Sequence, residues 1–174
     1  GDLAVRDLAT GEEKRLTDKG PWTESGAQAF HSRWSPDGRK IVYDWWDWDK
    51  DPGFVGVRVV GLDGQAPRTI YEVPDNELTI TYGWSSDGKR ILVLHNAIPN
   101  RDPKAKVGRI ALIGVEDGSV KILKELDLGS FAYNQYIDMD LSPDGRFIAY
   151  GIPVGGNAFN KDVMLLSVED QKEV

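Results

Sequence analysis

The sequence predicts an all-β fold built from repeated four-stranded units, and three observations support this. A string that contains an Asp-Gly pair occurs three times within the 174 residues. Short apolar runs follow each copy, and further Asp-Gly pairs separate them, which is a strong signal for β-hairpins. No stretch carries apolar residues at helical spacing over three turns, and Gly and Pro interrupt the chain throughout.

The repeated string reads WSPDGRKIVY, WSSDGKRILV and LSPDGRFIAY, and its copies begin at Trp34, Trp84 and Leu141. We predict a tight turn at each copy, because Pro or Ser and Asp favour a turn and Gly supplies the positive φ that closes it. The serine hydroxyls are expected to hydrogen-bond the turn backbone. The following runs are apolar on consecutive residues, which is typical of strands covered on both faces. This pattern predicts sheets that stack face to face.

A second hairpin follows each of these strands, and Asp-Gly pairs at 63–64 and 117–118 mark two of them. Units of four strands and about 40–50 residues fit the blades of a β-propeller. The first residues of the chain match only the second hairpin of a unit. The sequence therefore predicts a partial β-propeller, a single segment with about three four-stranded antiparallel blades plus an N-terminal half-blade. The half-blade covers residues 1–18, and the blades cover 27–74, 77–128 and 133–174.

These residues resemble a known family. The strings SPDGRKIVY and SPDGRFIAY, together with VRDLATGEEKRLT at 5–17, are similar to the TolB-like and WD-repeat-like propeller repeats of bacteria. The resemblance covers nearly the whole chain and implies a bacterial source and a periplasmic or extracytoplasmic location. Such propellers usually close with six or more blades. We therefore expect the remaining blades to come from the same longer chain or from a second copy.

Composition and motifs exclude several function classes. Twenty-one Lys and Arg oppose 28 Asp and Glu, giving a net charge of −7, which argues against a nucleic-acid partner. The absence of Cys excludes disulfides and thiolate zinc sites, and no apolar run is long enough for membrane insertion. The sequence contains no G-x-S-x-G, P-loop or dinucleotide-binding string. We therefore predict no catalytic residue and no cofactor, and interpret His31 and His95 as hydrogen-bonded or loop histidines.

The most unusual stretch is YDWWDWDKDPG at 43–53, which we place on the connection after the first blade's second strand. Trp45, Trp46 and Trp48 are candidates for stacking on a ligand, with the neighbouring acids accepting hydrogen bonds. Alternatively, one or two of them continue the strand and pack between blades. Strand alternation places Trp45 and Asp47 on one face and Trp46 and Trp48 on the other.

The same stretch contains the pattern D-x-D-x-D, formed by Asp47, Asp49 and Asp51, which opens many calcium-binding loops. Pro52 and Arg58 stand where such loops carry the turn-forming Gly and the bidentate acid. We therefore predict no metal site. The alternative is a calcium site with these three aspartates as its ligands.

Three connections, at 45–51, 96–104 and 153–160, are expected to emerge at the same end of the blades because the topology repeats. We predict that they form a recognition face for a protein, peptide or glycan, which makes the chain a non-catalytic binding or scaffold module. The alternative is the substrate-filtering propeller of a larger serine peptidase of the prolyl-oligopeptidase type, whose catalytic domain lies outside this chain. The candidate ligand-binding residues are Trp45, Trp46, Trp48, Asn96, Arg101 and Asn157.

Overall fold

The computed structural model describes residues 1–21, 23–49, 54–74, 77–97, 107–127, 137–154 and 157–174. These residues form thirteen β-strands and no helix. The strands are β1 (Ala4–Arg6), β2 (Glu13–Arg15), β3 (Gln28–Trp34), β4 (Lys40–Asp47), β5 (Phe54–Gly61), β6 (Arg68–Glu72), β7 (Glu77–Trp84), β8 (Arg90–Ala97), β9 (Val107–Gly114), β10 (Val120–Asp127), β11 (Met139–Leu141), β12 (Phe147–Val154) and β13 (Asn157–Ser167).

The strands form four antiparallel sheets in which neighbours in sequence are also neighbours in space. A two-stranded sheet, β1–β2, precedes two four-stranded sheets, β3–β6 and β7–β10, and a three-stranded sheet, β11–β13. A bridge between Leu166 and Glu173 extends the last sheet by one further pairing. We call these the half-blade and the first, second and third blades. Strand β3 contacts β7, and β7 contacts β11, so the first strand of each blade forms the inner edge of a partial β-propeller.

The three repeated turns share one hydrogen-bond pattern, as the sequence predicts. In the first turn the Ser35 hydroxyl donates to Asp37 Oδ1 at 2.6 Å, and Gly38 has a φ of 67°. The second turn repeats this arrangement with Ser85, Asp87 and Gly88, and the third with Ser142, Asp144 and Gly145. In each turn the serine hydroxyl holds the pKa of the aspartate below its usual value. The turns are therefore rigid corners that fix where β4, β8 and β12 begin.

Apolar clusters fill the spaces between consecutive blades, so that the middle strands contribute to two interfaces each. In β4, Tyr43 packs towards the half-blade, whereas Val42 packs towards the second blade. In β8, Val93 packs towards the first blade, whereas Leu94 packs towards the third. This arrangement confirms that the runs of the first and second blades are covered on both faces. In the third blade, Ile148 and Tyr150 are buried but Ala149 between them is exposed, so the prediction was wrong for that run within the described residues. The hydrophobic core thus consists of a series of interfaces between stacked blades.

All three predicted connections begin later than expected. Strand β4 continues to Asp47, which pairs with Phe54 of β5, and β8 continues to Ala97. Strand β12 continues to Val154, and Asn157 already belongs to β13. Trp45, Trp46, Asn96 and Asn157 therefore lie in strands, and their assignment to connecting loops was wrong. The alternative that Trp45 and Trp46 continue the strand is confirmed. The ladder extends because aromatic residues favour strands and because these residues bury their side chains against neighbouring elements.

Candidate functional site

Trp45 packs in the core between the half-blade and the first blade. Its side chain is only 7% exposed and meets the Tyr43 ring edge-on, with 6.3 Å between ring centroids. The Arg58 guanidinium carbon lies 4.8 Å from the Trp45 ring centroid. Both contacts cover the indole, so Trp45 offers little open ring face to a ligand.

The other candidate residues lie in different environments. Asn96 is 2% exposed, and among the described residues its buried Oδ1 has no hydrogen-bond partner. Arg101 lies outside the described residues, as do Asp51 and the side chain of Asn157. Trp48 is 44% exposed and is the most open to solvent of the candidates whose side chains the structure describes. The structure therefore does not bring the six residues together as one surface.

Trp48 belongs to an aromatic cluster with Phe30 and Trp46, and we use that name for these three residues. The Phe30 and Trp46 ring centroids are 4.6 Å apart, and the Trp46 and Trp48 centroids are 5.6 Å apart with the rings edge-on. The sequence correctly places Trp46 and Trp48 on one face of the strand, opposite Trp45. The cluster runs from a half-buried interior to an exposed indole at one end of the first blade.

His31 continues this cluster at a distortion of the inner strand. Strand β3 has a β-bulge, because Phe30 pairs with Asp44 whereas Arg33 pairs with Val42. His31 lies in the bulge with a φ of 48°, a left-handed conformation that costs a residue other than glycine about 1–2 kcal/mol. Bulges re-aim side chains, and strained residues cluster at functional sites. Here the bulge turns His31 towards the face of the sheet that carries Asp44.

Asp44 is completely buried between the first and second blades and accepts three hydrogen bonds. We assign His31 Nδ1 as a donor to Asp44 Oδ2 at 2.8 Å, because an ionised carboxylate can only accept. The Thr81 backbone NH donates to Oδ2 at 3.1 Å, and the Thr81 hydroxyl donates to Oδ1 at 2.5 Å. Burial raises the pKa of Asp44, and the hydrogen bonds from His31 and Thr81 oppose this effect. Asp44 thus joins two blades and fixes the orientation of His31.

The opposite edge of the His31 ring is available for binding. The side chain is 34% exposed, and its ring centroid lies 6.4 Å from that of Trp46. Among the residues that the structure describes, Nε2 has no hydrogen-bond partner. The structure therefore presents one imidazole nitrogen beside the aromatic cluster at the inner edge of the first blade.

Sequence reasoning missed Asp44, although the repeat contains a signal for it. The second and third copies have Leu94 and Gly151 at the position where the first copy has Asp44. A single carboxylate at a position that is otherwise apolar or small indicates a local role beyond the shared scaffold. The expectation that His31 is hydrogen-bonded is confirmed, but nothing in the sequence identified its partner.

His95 is a second histidine between the first and second blades, and it is only 3% exposed. Its Nδ1 lies 3.1 Å from the Thr79 hydroxyl, and the Tyr71 ring packs edge-on at 5.2 Å between centroids. Its buried Nε2 has no partner within the part of the chain that the structure describes. Desolvation by these surroundings lowers the pKa of His95, so the native state holds a neutral ring.

This burial predicts that the chain loses stability in mild acid. The unfolded chain protonates His95 below about pH 6.5, whereas the native state resists protonation, so the free energy of unfolding falls as the pH decreases from there. Denaturant titrations at a series of pH values between neutral and mildly acidic conditions would measure this. In His95→Gln the decline should be shallower, and equal slopes in the two proteins would contradict the assignment to His95.

The carboxylates of the D-x-D-x-D pattern accept backbone hydrogen bonds where they are described. Asp49 Oδ2 accepts a hydrogen bond from the Gly26 backbone NH at 2.5 Å, and Asp47 Oδ1 accepts one from the Asp49 backbone NH at 3.3 Å. Within the described ranges, no group of three His, Asp or Glu side chains is placed to hold a metal ion. Calcium binding remains an alternative that depends on Asp51.

Comparison with known proteins supports the fold. TolB from Acinetobacter baumannii is similar over 99% of this chain and 36% of its own, with 22% identity and a TM-score of 0.62. An oligogalacturonate lyase from Vibrio parahaemolyticus matches over 99% of this chain and 45% of its own, with 14% identity and a TM-score of 0.71. The β-propeller domain of the Trilobed protease from Pyrococcus furiosus matches over 98% of this chain and 46% of its own, with 17% identity and a TM-score of 0.59.

The chain spans less than half of each of these proteins. At such low identities the likeness shows the fold, and the chain forms part of a β-propeller of the kind found in TolB and in peptidase propeller domains. No protein-family model matches the chain, and no curated protein is similar to it in sequence. The WD-repeat resemblance stays a prediction. None of the described segments forms a helix long and apolar enough to cross a membrane.

Proposed function

We propose that this chain is a non-catalytic binding module that recognises a protein or peptide partner at the inner edge of its first blade. The observation that carries the proposal is the exposed Trp48, which continues through the aromatic cluster to the open nitrogen of His31. Trp is enriched in the binding hot spots of protein interfaces, because one side chain combines a large apolar area with a polar N–H. A bacterial source and a periplasmic location remain predictions.

A peptide fits this site better than a glycan. Sugar rings stack on open aromatic faces, and here Trp45 is covered by Arg58 and the core. Trp46 is half-buried between Phe30 and Trp48, which leaves one open indole. An apolar side chain packing on Trp48 requires only that indole.

The surroundings of His31 support a binding role rather than nucleophilic catalysis. A histidine base activates a Ser or Thr hydroxyl by hydrogen-bonding it directly. The Thr81 hydroxyl bonds Asp44 instead, and within the described ranges no hydroxyl bonds the His31 ring.

Trp48→Ala is expected to weaken peptide binding at least tenfold while leaving the fold intact, because Trp48 is 44% exposed. A random peptide library displayed on phage would be panned against the immobilised chain, and enriched peptides measured by calorimetry. We expect the wild-type chain to enrich peptides with a common motif. Their affinities for Trp48→Ala should fall at least tenfold, which is the usual loss when an interface hot spot is truncated.

Leu8→Ala is the matched control, because Leu8 is 95% exposed on the half-blade and lies outside the site. Its affinities should equal those of the wild type. Failure to enrich any motif, or equal losses in the two variants, would contradict the proposed function. If the chain binds oligosaccharides on a glycan array and binds no peptide, the partner is a glycan and not a protein or peptide.

The propeller of a larger serine peptidase is the second candidate, because the similar structures include an acylaminoacyl peptidase from Pyrococcus horikoshii and prolyl oligopeptidase B from Galerina marginata. Under this hypothesis the propeller admits substrates and holds none of them tightly. A G-x-S-x-G motif in the complete gene, together with an unproductive library selection, would favour it.

A further inference from the structure

The hydrogen bond to Asp44 fixes which nitrogen of His31 carries the proton. An ionised carboxylate has no hydrogen to donate, so Nδ1 of His31 donates to Asp44 Oδ2 at 2.8 Å. A neutral imidazole carries one proton on its nitrogens, and the nitrogen without it is an acceptor. Asp44 therefore holds the neutral ring in the tautomer whose Nε2 accepts hydrogen bonds.

This acceptor nitrogen is open to solvent. The His31 side chain is 34% exposed, and its hydrogen bond within the described ranges is made by Nδ1. The buried nitrogens that lack a partner there include Nε2 of His95 but not Nε2 of His31. Solvent therefore reaches the free nitrogen of His31, and a ligand can replace that solvent without opening the blade.

The acceptor is held in place from two blades. Thr81 of the second blade donates to the buried Asp44 carboxylate with its backbone NH at 3.1 Å and with its hydroxyl at 2.5 Å. Two aromatic rings border the imidazole, since the Phe30 and Trp46 centroids lie 6.0 Å and 6.4 Å from that of His31. A side chain that is already ordered loses little freedom when a ligand binds, which lowers the cost of binding.

The repeat shows that this acceptor is specific to the first blade. Thr81 and Asp138 stand at the position of His31 in the second and third copies, and neither copy has a carboxylate at the position of Asp44. The other blades thus lack both the imidazole and the group that fixes its tautomer. The His31 and Asp44 pair is an addition to the shared scaffold, as expected of a binding residue and its support.

We propose that Nε2 of His31 accepts a hydrogen bond from an N–H group of the partner, namely a peptide whose apolar or aromatic side chain packs on Trp48. This inference deepens the proposed function and rests on it. The Trp46 ring centroid lies 6.4 Å from that of His31 and 5.6 Å from that of Trp48, so both halves of the site border one indole. Every peptide residue except Pro supplies a backbone N–H, which makes a short peptide a suitable donor.

Nitrogen NMR of the chain with isotope-labelled histidine tests the tautomer without any ligand. The spectra are recorded at about pH 8, where imidazole groups are generally neutral, and His31→Phe assigns the signals by difference. We expect His31 to carry its proton on Nδ1 and none on Nε2. A proton on Nε2, in the other tautomer or in a doubly protonated ring, would overturn the inference and leave the proposed function untouched.

Paired peptides test the hydrogen bond itself. The probes are acetyl-Trp peptides with zero to three glycines after the Trp, each ending in either a carboxamide or a methyl ester and compared by NMR titration. The two members of a pair have the same length, and only the carboxamide has terminal N–H donors. At the best spacing, we expect the carboxamide to bind the wild-type chain about fivefold more tightly than the ester, as one neutral hydrogen bond provides.

His31→Phe keeps a ring at this position without a nitrogen and should reduce the preference to about twofold or less. This variant also removes a donor from the buried Asp44, so a second measurement uses the wild-type chain alone. At equal saturation, the carboxamide should shift the Nε2 resonance more than the ester does. Leu8→Ala is the control and should keep the wild-type preference, whereas Trp48→Ala should weaken both members of a pair equally.

Equal affinities of the carboxamide and the ester for the wild-type chain would overturn the inference, as would equal shifts of the Nε2 resonance. If both peptides bind equally and Trp48→Ala weakens both, the proposed function stands and only the hydrogen bond to His31 fails. If no peptide of either series binds, the inference fails, and the library selection alone decides the proposed function.

Discussion

Replacing Gly118 by Ala is expected to destabilise the chain by about 3 kcal/mol, because two separate costs arise at this position. Gly118 has a φ of 66°, where a residue with a Cβ is strained. A Cβ at this position would also lie 2.5 Å from the backbone carbonyl oxygen of Ile70 in the first blade. A backbone atom held in β6 cannot move aside cheaply, so the first and second blades would have to separate locally. Denaturant unfolding followed by tryptophan fluorescence would measure the loss.

Gly64→Ala is the matched control for this prediction. Gly64 occupies the corresponding Asp-Gly turn of the first blade with a φ of 85°, and a Cβ there would meet nothing within 4 Å. This variant should therefore lose only the conformational penalty, about 1–2 kcal/mol. The difference between the two variants measures the approach of the blades. Equal losses would show that the contact with Ile70 relaxes without cost.

The two Asp-Gly turns also show what the sequence can predict. Both turns follow from local chemistry, since Asp accepts from the turn backbone and Gly adopts the positive φ, as the hydrogen bonds of Asp63 and Asp117 confirm. Their different surroundings depend on which blade packs against them, and no local pattern contains that information. The repeat predicts the fold because it specifies each blade locally and the stacking follows from apolar strands.

The candidate site was less predictable than the fold. Strand alternation correctly separates Trp45 from Trp46 and Trp48, because side-chain direction follows from the two-residue period. Burial depth does not follow from that period, and Trp45 is covered by Arg58, which lies on the neighbouring strand. The Asp44 network joins residues separated by 37 positions, and only the departure of Asp44 from the repeat pattern indicates it.

The site and the scaffold depend on the same interface. A fully buried carboxylate is costly unless its hydrogen bonds are satisfied, and Asp44 obtains them from Thr81 in the second blade and from His31 in its own. The contact between these blades therefore determines the direction of the His31 ring. Any change that separates the first and second blades is expected to disorder the binding site before the chain unfolds.

A substitution at the interface between the second and third blades should show that each blade interface contributes separately to the free energy of unfolding. Leu94 is fully buried in the cluster between the second and third blades, so Leu94→Ala is expected to cost about 3 kcal/mol through lost burial and the cavity left behind. Because stacked repeats are stabilised mainly by nearest neighbours, amide hydrogen exchange should accelerate most in β12 and least in β4. Ile122→Ala, at a 47% exposed position of β10, should cost about 0.5 kcal/mol and leave exchange unchanged. Uniform acceleration in every blade would mean that the interfaces unfold as one cooperative unit.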